Sequence, residues 1–437
     1  TDRPGYVDKG MTVLQDFAAG ISFIPEEVEK ERGVVLEEWR GRLGAGSRLT
    51  DKQLPVIFQG SRYADRLPIG LPDILRTAPR ERLLSFYQKW YRPDRMAVVI
   101  VGDVPVAEAE KLVMAHFSGI PAAKGTVAEV DTTVPPHKDT LINMATDPEA
   151  QGWSVSVEFK HKSQEDGTVR NYRKSLAEGL LSSMFSLRLS DLSRRPNAPF
   201  IGAQAGASAI GRSLSLFELE AAVPEGKITE GLGALMAEAK RVQQFGFTDD
   251  ELNRAKAALL AGYERAFKER ETSESAGYAS EYVRHFLTKE PIPGMDVEYK
   301  VASLYLPTIT NAEISALAKS LISDDNRVVL GVAPEKKDTP PPTVETIRAT
   351  LERANAAPVE RWADPTTNRA LVEKSPTPGK VTGKRAIPDI GATVLTLSNG
   401  VEVWLKPTDF KNDQVLFTAY ALGGLSLASE KDYKNAS

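Results

Sequence analysis

Cysteine is absent from all 437 residues. That excludes disulfides, thiolate catalysis and every metal site built on cysteine sulfur. It leaves the compartment open, because a cysteine-free chain tolerates oxidising and reducing surroundings alike. Histidine is scarce: His116, His137, His161 and His285 are the four, and the nearest two lie 21 positions apart. No pair stands at the helical spacing of three or four residues at which two imidazoles share a metal. Singly, each reads as a surface or packed ring. An excess of either charge is also lacking, with 26% charged residues and a net charge of −4, so there is no electrostatic footprint for nucleic acid or an anionic membrane. No apolar run approaches the roughly 18 residues of a membrane span. The start, Thr1-Asp2-Arg3-Pro4-Gly5, has no initiator Met, no basic segment and no apolar leader core. The expectation is a processed chain or a piece of a longer one.

The length suits two or three domains with cores of their own. Within it, Pro25–Arg40 reads as a helix. Pro25 suits a first helical position, and Glu26 and Glu27 place negative charge in the first turn. Val28, Val35 and Trp39 draw an apolar stripe. Glu31 and Glu38 are seven apart, about two turns, so both carboxylates project from one side beside the stripe. Such a pair belongs either to a metal or proton site or to a solvated, salt-bridged face, and spacing alone leaves both readings open.

Taken in order, Val13, Leu14, Phe17 and Ile21 share helical spacing, and Pro55, Gly60, Pro68, Gly70, Pro72 and Pro79 punctuate short helical pieces. A helix over Glu81–Tyr91, a strand over Met96–Val101 and a helix over Val106–Phe117 follow. Residues 118–137 have boundary composition. The next part is predicted as strands at Trp153–Phe159, Phe200–Ala207 and Leu214–Val223, with helices at Tyr172–Leu192, Ile228–Phe245, Asp249–Arg270, Ser273–Thr288 and Asn311–Ile322. It closes with a strand over Arg327–Val332. Helix, polar turn and Arg-Met-Ala-Val-Val-Ile-Val-Gly at 95–102 parallel the helix, turn and strand ending at 332, which suggests two α/β units of one plan. Residues 334–388 hold nine of 28 prolines, a composition of partly extended linkers. Thr393–Leu397 and Val401–Leu405 flank Ser398-Asn399-Gly400, a strong hairpin signal. A strand over Val415–Leu422 leads into Gly423-Gly424.

Five segments together, Glu29–Glu38, Gly60-Ser61-Arg62-Tyr63, Pro68-Ile69-Gly70, Phe86–Pro93 and Val98–Asp103, resemble the M16 (pitrilysin/insulinase) family of zinc metallopeptidases, in its bacterial PqqL-like branch. Leu397–Val401 and Gly423-Gly424 resemble the opening hairpin of that family's next repeat. The resemblance implies an α+β fold: tandem repeats of the M16 / LuxS-like metallohydrolase type, mixed mostly antiparallel sheets with helices packed on one face. It divides the chain into the remainder of a first repeat (1–130), a second repeat (138–333), an inter-half linker (334–388) and the opening strands of a third (389–437).

In that family an inverted motif, His-x-x-Glu-His, supplies two zinc ligands and the general base, and a downstream Glu is the third ligand. By motif match Glu38 resembles that ligand and Glu31 the carboxylate that supports the site. Three protein ligands leave the fourth zinc position to a water whose pKa the metal lowers, and a supporting partner orients the ligating carboxylate. This chain contains no His-x-x-Glu-His. The resemblance therefore implies part of a Zn2+-dependent endopeptidase, inactive alone, whose partners are a peptide or unfolded protein substrate, the missing N-terminal segment, and a C-terminal half or partner subunit. A periplasmic or secreted location follows from the resemblance only. The alternative is a non-catalytic partner or scaffold subunit on the same fold.

Overall fold

The computed structural model describes residues 5–66, 68–163, 167–363, 372, 374–409, 414–421 and 423–432. The chain divides into two units, residues 1–263 with 273–363, and residues 264–272 with 364–437.

The first unit begins with helices: α1 (Tyr6–Gln15), α2 (Pro25–Gly41), α3 (Ala45–Ile57), α4 (Pro72–Thr77), α5 (Arg80–Trp90) and α6 (Val106–Phe117). They bury little, since α2 and α6 have no buried residue and α5 has only Tyr87. The predicted strand Met96–Val101 is not a strand. Its apolar run has no pairing partner among the described residues, and a strand pattern becomes a strand only when its backbone groups are paired.

Beyond residue 140 a five-stranded sheet forms from β1 (Leu141–Asp147), β2 (Trp153–Lys162), β3 (Gly202–Ile210), β4 (Leu214–Val223) and β5 (Arg327–Pro334), in the order β1-β5-β2-β4-β3. Only β1 and β5 pair in parallel. Alternation along β2 turns Trp153, Val155, Val157 and Phe159 to one face, where α7 (Val169–Ser193) and α8 (Ile228–Phe245) cover them. Three of those four residues, with Leu181, Phe185 and Leu235, are at most 1% exposed. Helices α9 (Asp249–Lys268), α10 (Ser275–Thr288), α11 (Met295–Tyr305), α12 (Asn311–Leu321) and α13 (Val344–Ala356) complete the order.

Two local devices fix this core. Thr248 and Glu251 cap α9 reciprocally: the Thr248 amide donates to Glu251 Oε2 at 2.7 Å and the Glu251 amide donates to Thr248 Oγ1 at 3.2 Å. The same Glu251 carboxylate receives Arg188 of α7 in a fork, at 2.6 and 2.8 Å. Arg188 is buried; it also donates to Glu238 at 3.2 Å and to the Gly246 carbonyl at 3.1 Å, and lies over Phe247 at 4.4 Å. Gly246 ends α8 at φ +64, where a side chain would be strained and would strike Ser315.

The structure departs from the sequence reading at several places. Residues 344–356, inside the stretch read as partly extended linker, form α13, which buries Ile347, Leu351 and Ala354 against α8. Pro340–Pro342 lead to Thr343, whose hydroxyl caps the Thr346 amide at 3.3 Å. Averaging over a proline-rich window hid that local signal. Strand β1 and helix α11 were not predicted: β1 is fixed by its pairing with β5, and α11 follows the breakers Pro291 and Pro293.

The second unit contains an antiparallel meander, β6 (Val381–Ile387), β7 (Ala392–Leu397) and β8 (Glu402–Leu405). The Ser398-Asn399-Gly400 hairpin forms as expected, with Gly400 at φ +86. Residues 415–421 form no strand, with Val415 and Phe417 almost fully exposed; Leu422 lies outside the described residues.

Arg188→Met leaves Glu251 with only its Thr248 donors and Glu238 with only Arg241, and is expected to destabilise the chain by about 3 kcal/mol, measured by urea unfolding at neutral pH. A loss below about 1 kcal/mol would contradict a paired buried network.

Candidate functional site

Helix α2 carries both carboxylates singled out by the sequence. The chain arrives through Phe23, which holds φ +51, a left-handed conformation unusual for a residue with a side chain. Neighbours hold it there: Arg80 Nε donates to the Phe23 carbonyl, and the Phe23 ring meets that of Tyr87 at 5.4 Å. Tyr87 in turn donates its hydroxyl to the Phe17 carbonyl at 2.9 Å. On α2 itself Arg32 is largely buried. It pairs with Glu29 at 3.0 Å and donates to the carbonyls of Leu75 and Ala78 at the end of α4. Those carbonyls are helix-end acceptors without intrahelical partners, so one guanidinium ties α4 to α2.

Between these elements runs a groove of about 520 Å³ lined by Ile21, Phe23, Ile24, Val28, Ile74 and Leu83, with Glu31 on its wall. Glu38 lies two turns further along and does not line it. The Glu38 side chain is 46% exposed and forms an ion pair with Arg42. Both carboxylates are thus on accessible helix surface, as their spacing implies, and neither is buried.

Among the described residues the donor set does not amount to a zinc site. No group of three His, Asp or Glu residues converges on a common point among the described residues. Each imidazole is engaged elsewhere: His116 with Asp8 at 2.9 Å and Gln15 at 3.2 Å, His137 with the Asp139 carbonyl at 2.7 Å, His161 with the Leu321 carbonyl at 2.9 Å, and His285 with the Glu290 carbonyl at 2.6 Å. One carboxylate without imidazole partners is a poor zinc ligand set.

Sequence reading missed Arg32, the left-handed Phe23 and the groove. An arginine one position after Glu31 reads as one more surface charge, and only the arrival of α4 gives its donors acceptors.

Aligning Phe23 with Phe247 sets α2 beside α9. Ala255 then stands at the position of Glu31 and Gly262 at that of Glu38. Leu252 and Ala255 of α9 are buried in the core, whereas no α2 residue is buried.

The family model described as "Peptidase M16 inactive domain" matches residues 77–259, beyond α2. The chain is 32% identical over 441 residues to "Zinc protease PQQL-like" of Arabidopsis thaliana, across 100% of this chain and 43% of that protein. It belongs to the M16 peptidase family. A second M16 relative, "Probable zinc protease PqqL" of Haemophilus influenzae, is 26% identical over 424 residues, covering 96% of this chain and 45% of the relative. The crystal structure of the periplasmic protease PqqL from Escherichia coli superposes with a TM-score of 0.78 at 21% identity, covering 94% of this chain and 45% of that one. The fold is therefore the α+β M16 fold. This M16 chain spans less than half the length of those relatives.

Because the Glu38–Arg42 pair is exposed, Glu38→Gln is expected to change folding stability by no more than about 1 kcal/mol, read from thermal unfolding of the whole chain. A larger loss would make Glu38 a structural residue and weaken its assignment as a ligand.

Proposed function

We propose that residues 1–437 form part of a zinc-dependent endopeptidase that hydrolyses peptides or unfolded segments. Within it Glu38 serves as the third zinc ligand and Glu31 as its hydrogen-bonding support. The observation that carries this reading is helix α2 itself: in an M16 chain it leaves two carboxylates, seven residues apart, on open surface, with Glu31 on the wall of an apolar groove. The contrast with α9 supports it. With Phe23 aligned on Phe247, the buried Ala255 stands in place of Glu31 and the exposed Gly262 in place of Glu38.

The remaining ligands and the general base have to come from outside this chain, since it holds no His-x-x-Glu-His. This reading assigns residues 1–130 and 138–333 to the first and second repeats, with 389–437 opening a third. The proline-rich segment between them joins two halves. Glu38 is free to exchange Arg42 for a metal at little cost, because an exposed ion pair stabilises a fold by about 1 kcal/mol or less. The apolar groove beside Glu31 suits an extended, apolar stretch of chain. A periplasmic or secreted setting agrees with the name of the Escherichia coli structure.

A second reading, a non-catalytic partner subunit, is favoured by the "inactive domain" description over 77–259. The two separate in the intact protein. Glu38→Gln should lose bound zinc and peptidase activity together; unaltered zinc content would refute the ligand assignment and leave the partner-subunit reading. The isolated chain should bind zinc only at about millimolar levels, and tight stoichiometric zinc in calorimetry would overturn the division of the site.

A further inference from the structure

The outer face of the five-stranded sheet carries a carboxyl group that no catalytic reading uses. Glu158 of β2 lies directly opposite Glu218 of β4 and Val328 of β5. It is 5% exposed, and its Oε2 is buried with no hydrogen-bond partner. Three charged groups act on it, Glu218, Lys160 and Glu220. On its own strand is Lys160; on β4 are Glu218 and, two positions on, Glu220, which accepts from Gln204 at 3.0 Å. β5 presents Val328 and Leu330, and the last turn of α3 with its following residues adds Leu54, Val56, Ile57 and Phe58, none of them charged.

Lys160 is buried too, and its ammonium goes to α3: Nζ donates to the Ile57 carbonyl at 2.9 Å. That carbonyl belongs to the final turn of the helix, where no backbone amide is left to take it. Lys160, the one buried cation on this face among the described residues, therefore has two acceptors within its reach along the strand, a helix-end carbonyl and a carboxyl group. A neutral carboxyl leaves the cation with the carbonyl. An ionised one, set among apolar side chains and facing two other carboxylates, has Lys160 as its only counter-charge.

We propose that Glu158 is a proton-operated latch for α3: neutral, it leaves Lys160 on the Ile57 carbonyl and α3 stays seated on the sheet; ionised, it draws Lys160 away and the last turn of α3 lifts. Burial, and then Glu218, push the Glu158 carboxyl up to about 8. The seated state therefore holds its proton more tightly than the lifted state, in which the group is solvated and ordinary. Raising the pH from the ordinary carboxylate range towards 8 favours lifting, and above that the effect levels off. Only residues 42–44 separate α2 from the first turn of α3, which Arg48 holds to Asp147, so the lifting is confined to the far end of α3. The latch does not depend on zinc binding or on peptidase activity.

Hydrogen exchange of the full chain, corrected for intrinsic rates, tests this at pH 6, 7, 8 and 9. The amides of Phe58, Gln59 and Ser61, which donate to Leu54, Val56 and Phe58, are the probes, and Val157 in the sheet is the control. Opening of the probes is expected to rise about tenfold per pH unit between 6 and 8, then level off, with Val157 unchanged. Glu158→Gln should flatten the curve. Glu218→Gln, which removes the nearest like charge, should make it level off at lower pH. A flat wild-type curve, or the wild-type curve in either variant, would overturn the latch.

Discussion

The seating of α3 on the outer face of the sheet is the contact through which the N-terminal helices gain a folded support. Arg48 grips Asp147 in a fork, both bonds at 2.6 Å, and reaches Glu149 at 2.7 Å. The arginine holds the Asp147 carboxyl down to about 2. Lys52 donates to the Thr146 carbonyl at 2.6 Å and Gln53 to the Gly331 carbonyl at 3.2 Å. Below them Ile57 and Phe58 close a small apolar cluster with Leu214, Leu216, Val328 and Leu330. Helices α1, α2 and α4–α6 bury only two residues of their own, Met11 and Tyr87. Their placement relies on this seat and on side-chain ties such as Arg32 to the end of α4.

Burial divides structural from functional charge. Arg188, Glu238 and Glu251 are sealed inside and fully partnered, the condition under which buried charge is tolerated. Glu31 and Glu38 are in the opposite state, open to solvent, with Glu38 held only by an exchangeable surface pair. Glu158 is a third case, buried and lacking a partner for one oxygen, and a proton is what makes that tolerable. The edge of the sheet shows similar economy. Ser186 of α7 both donates to the Ala205 carbonyl and accepts from the Ala205 amide at 2.9 Å, closing part of the β3 edge against pairing.

Much of this was legible in the residues. The helix at Pro25 and those at Val106–Phe117 and Ile228–Phe245 follow from apolar periodicity with breakers at their ends, and the strand Leu214–Val223 from the alternation of Glu218 and Glu220 with Phe217, Leu219 and Ala221. The side shared by Glu31 and Glu38 follows from seven residues at about 100° each. These are properties of a dozen neighbouring residues. The run at 96–101 shows the limit: its composition is that of a strand, and without a partner it is none.

What the sequence by itself determined is the set of local preferences, the M16 words around Glu31 and Glu38, and the lack of cysteine and of paired histidines. The tertiary structure alone decided which polar residues are sealed. Glu158 in Trp-Ser-Val-Ser-Val-Glu-Phe-Lys stands at a position that alternation assigns to water, yet α3 and two neighbouring strands close over it. Arg32 and Arg188 read alike as helix charges, and one became a tie to α4 while the other became the centre of a core network. The physical reason is range: periodicity acts over a turn or two of chain, whereas desolvation depends on elements 50 to 170 residues away in sequence, as from Arg188 to Glu238 and from Glu158 to Val328.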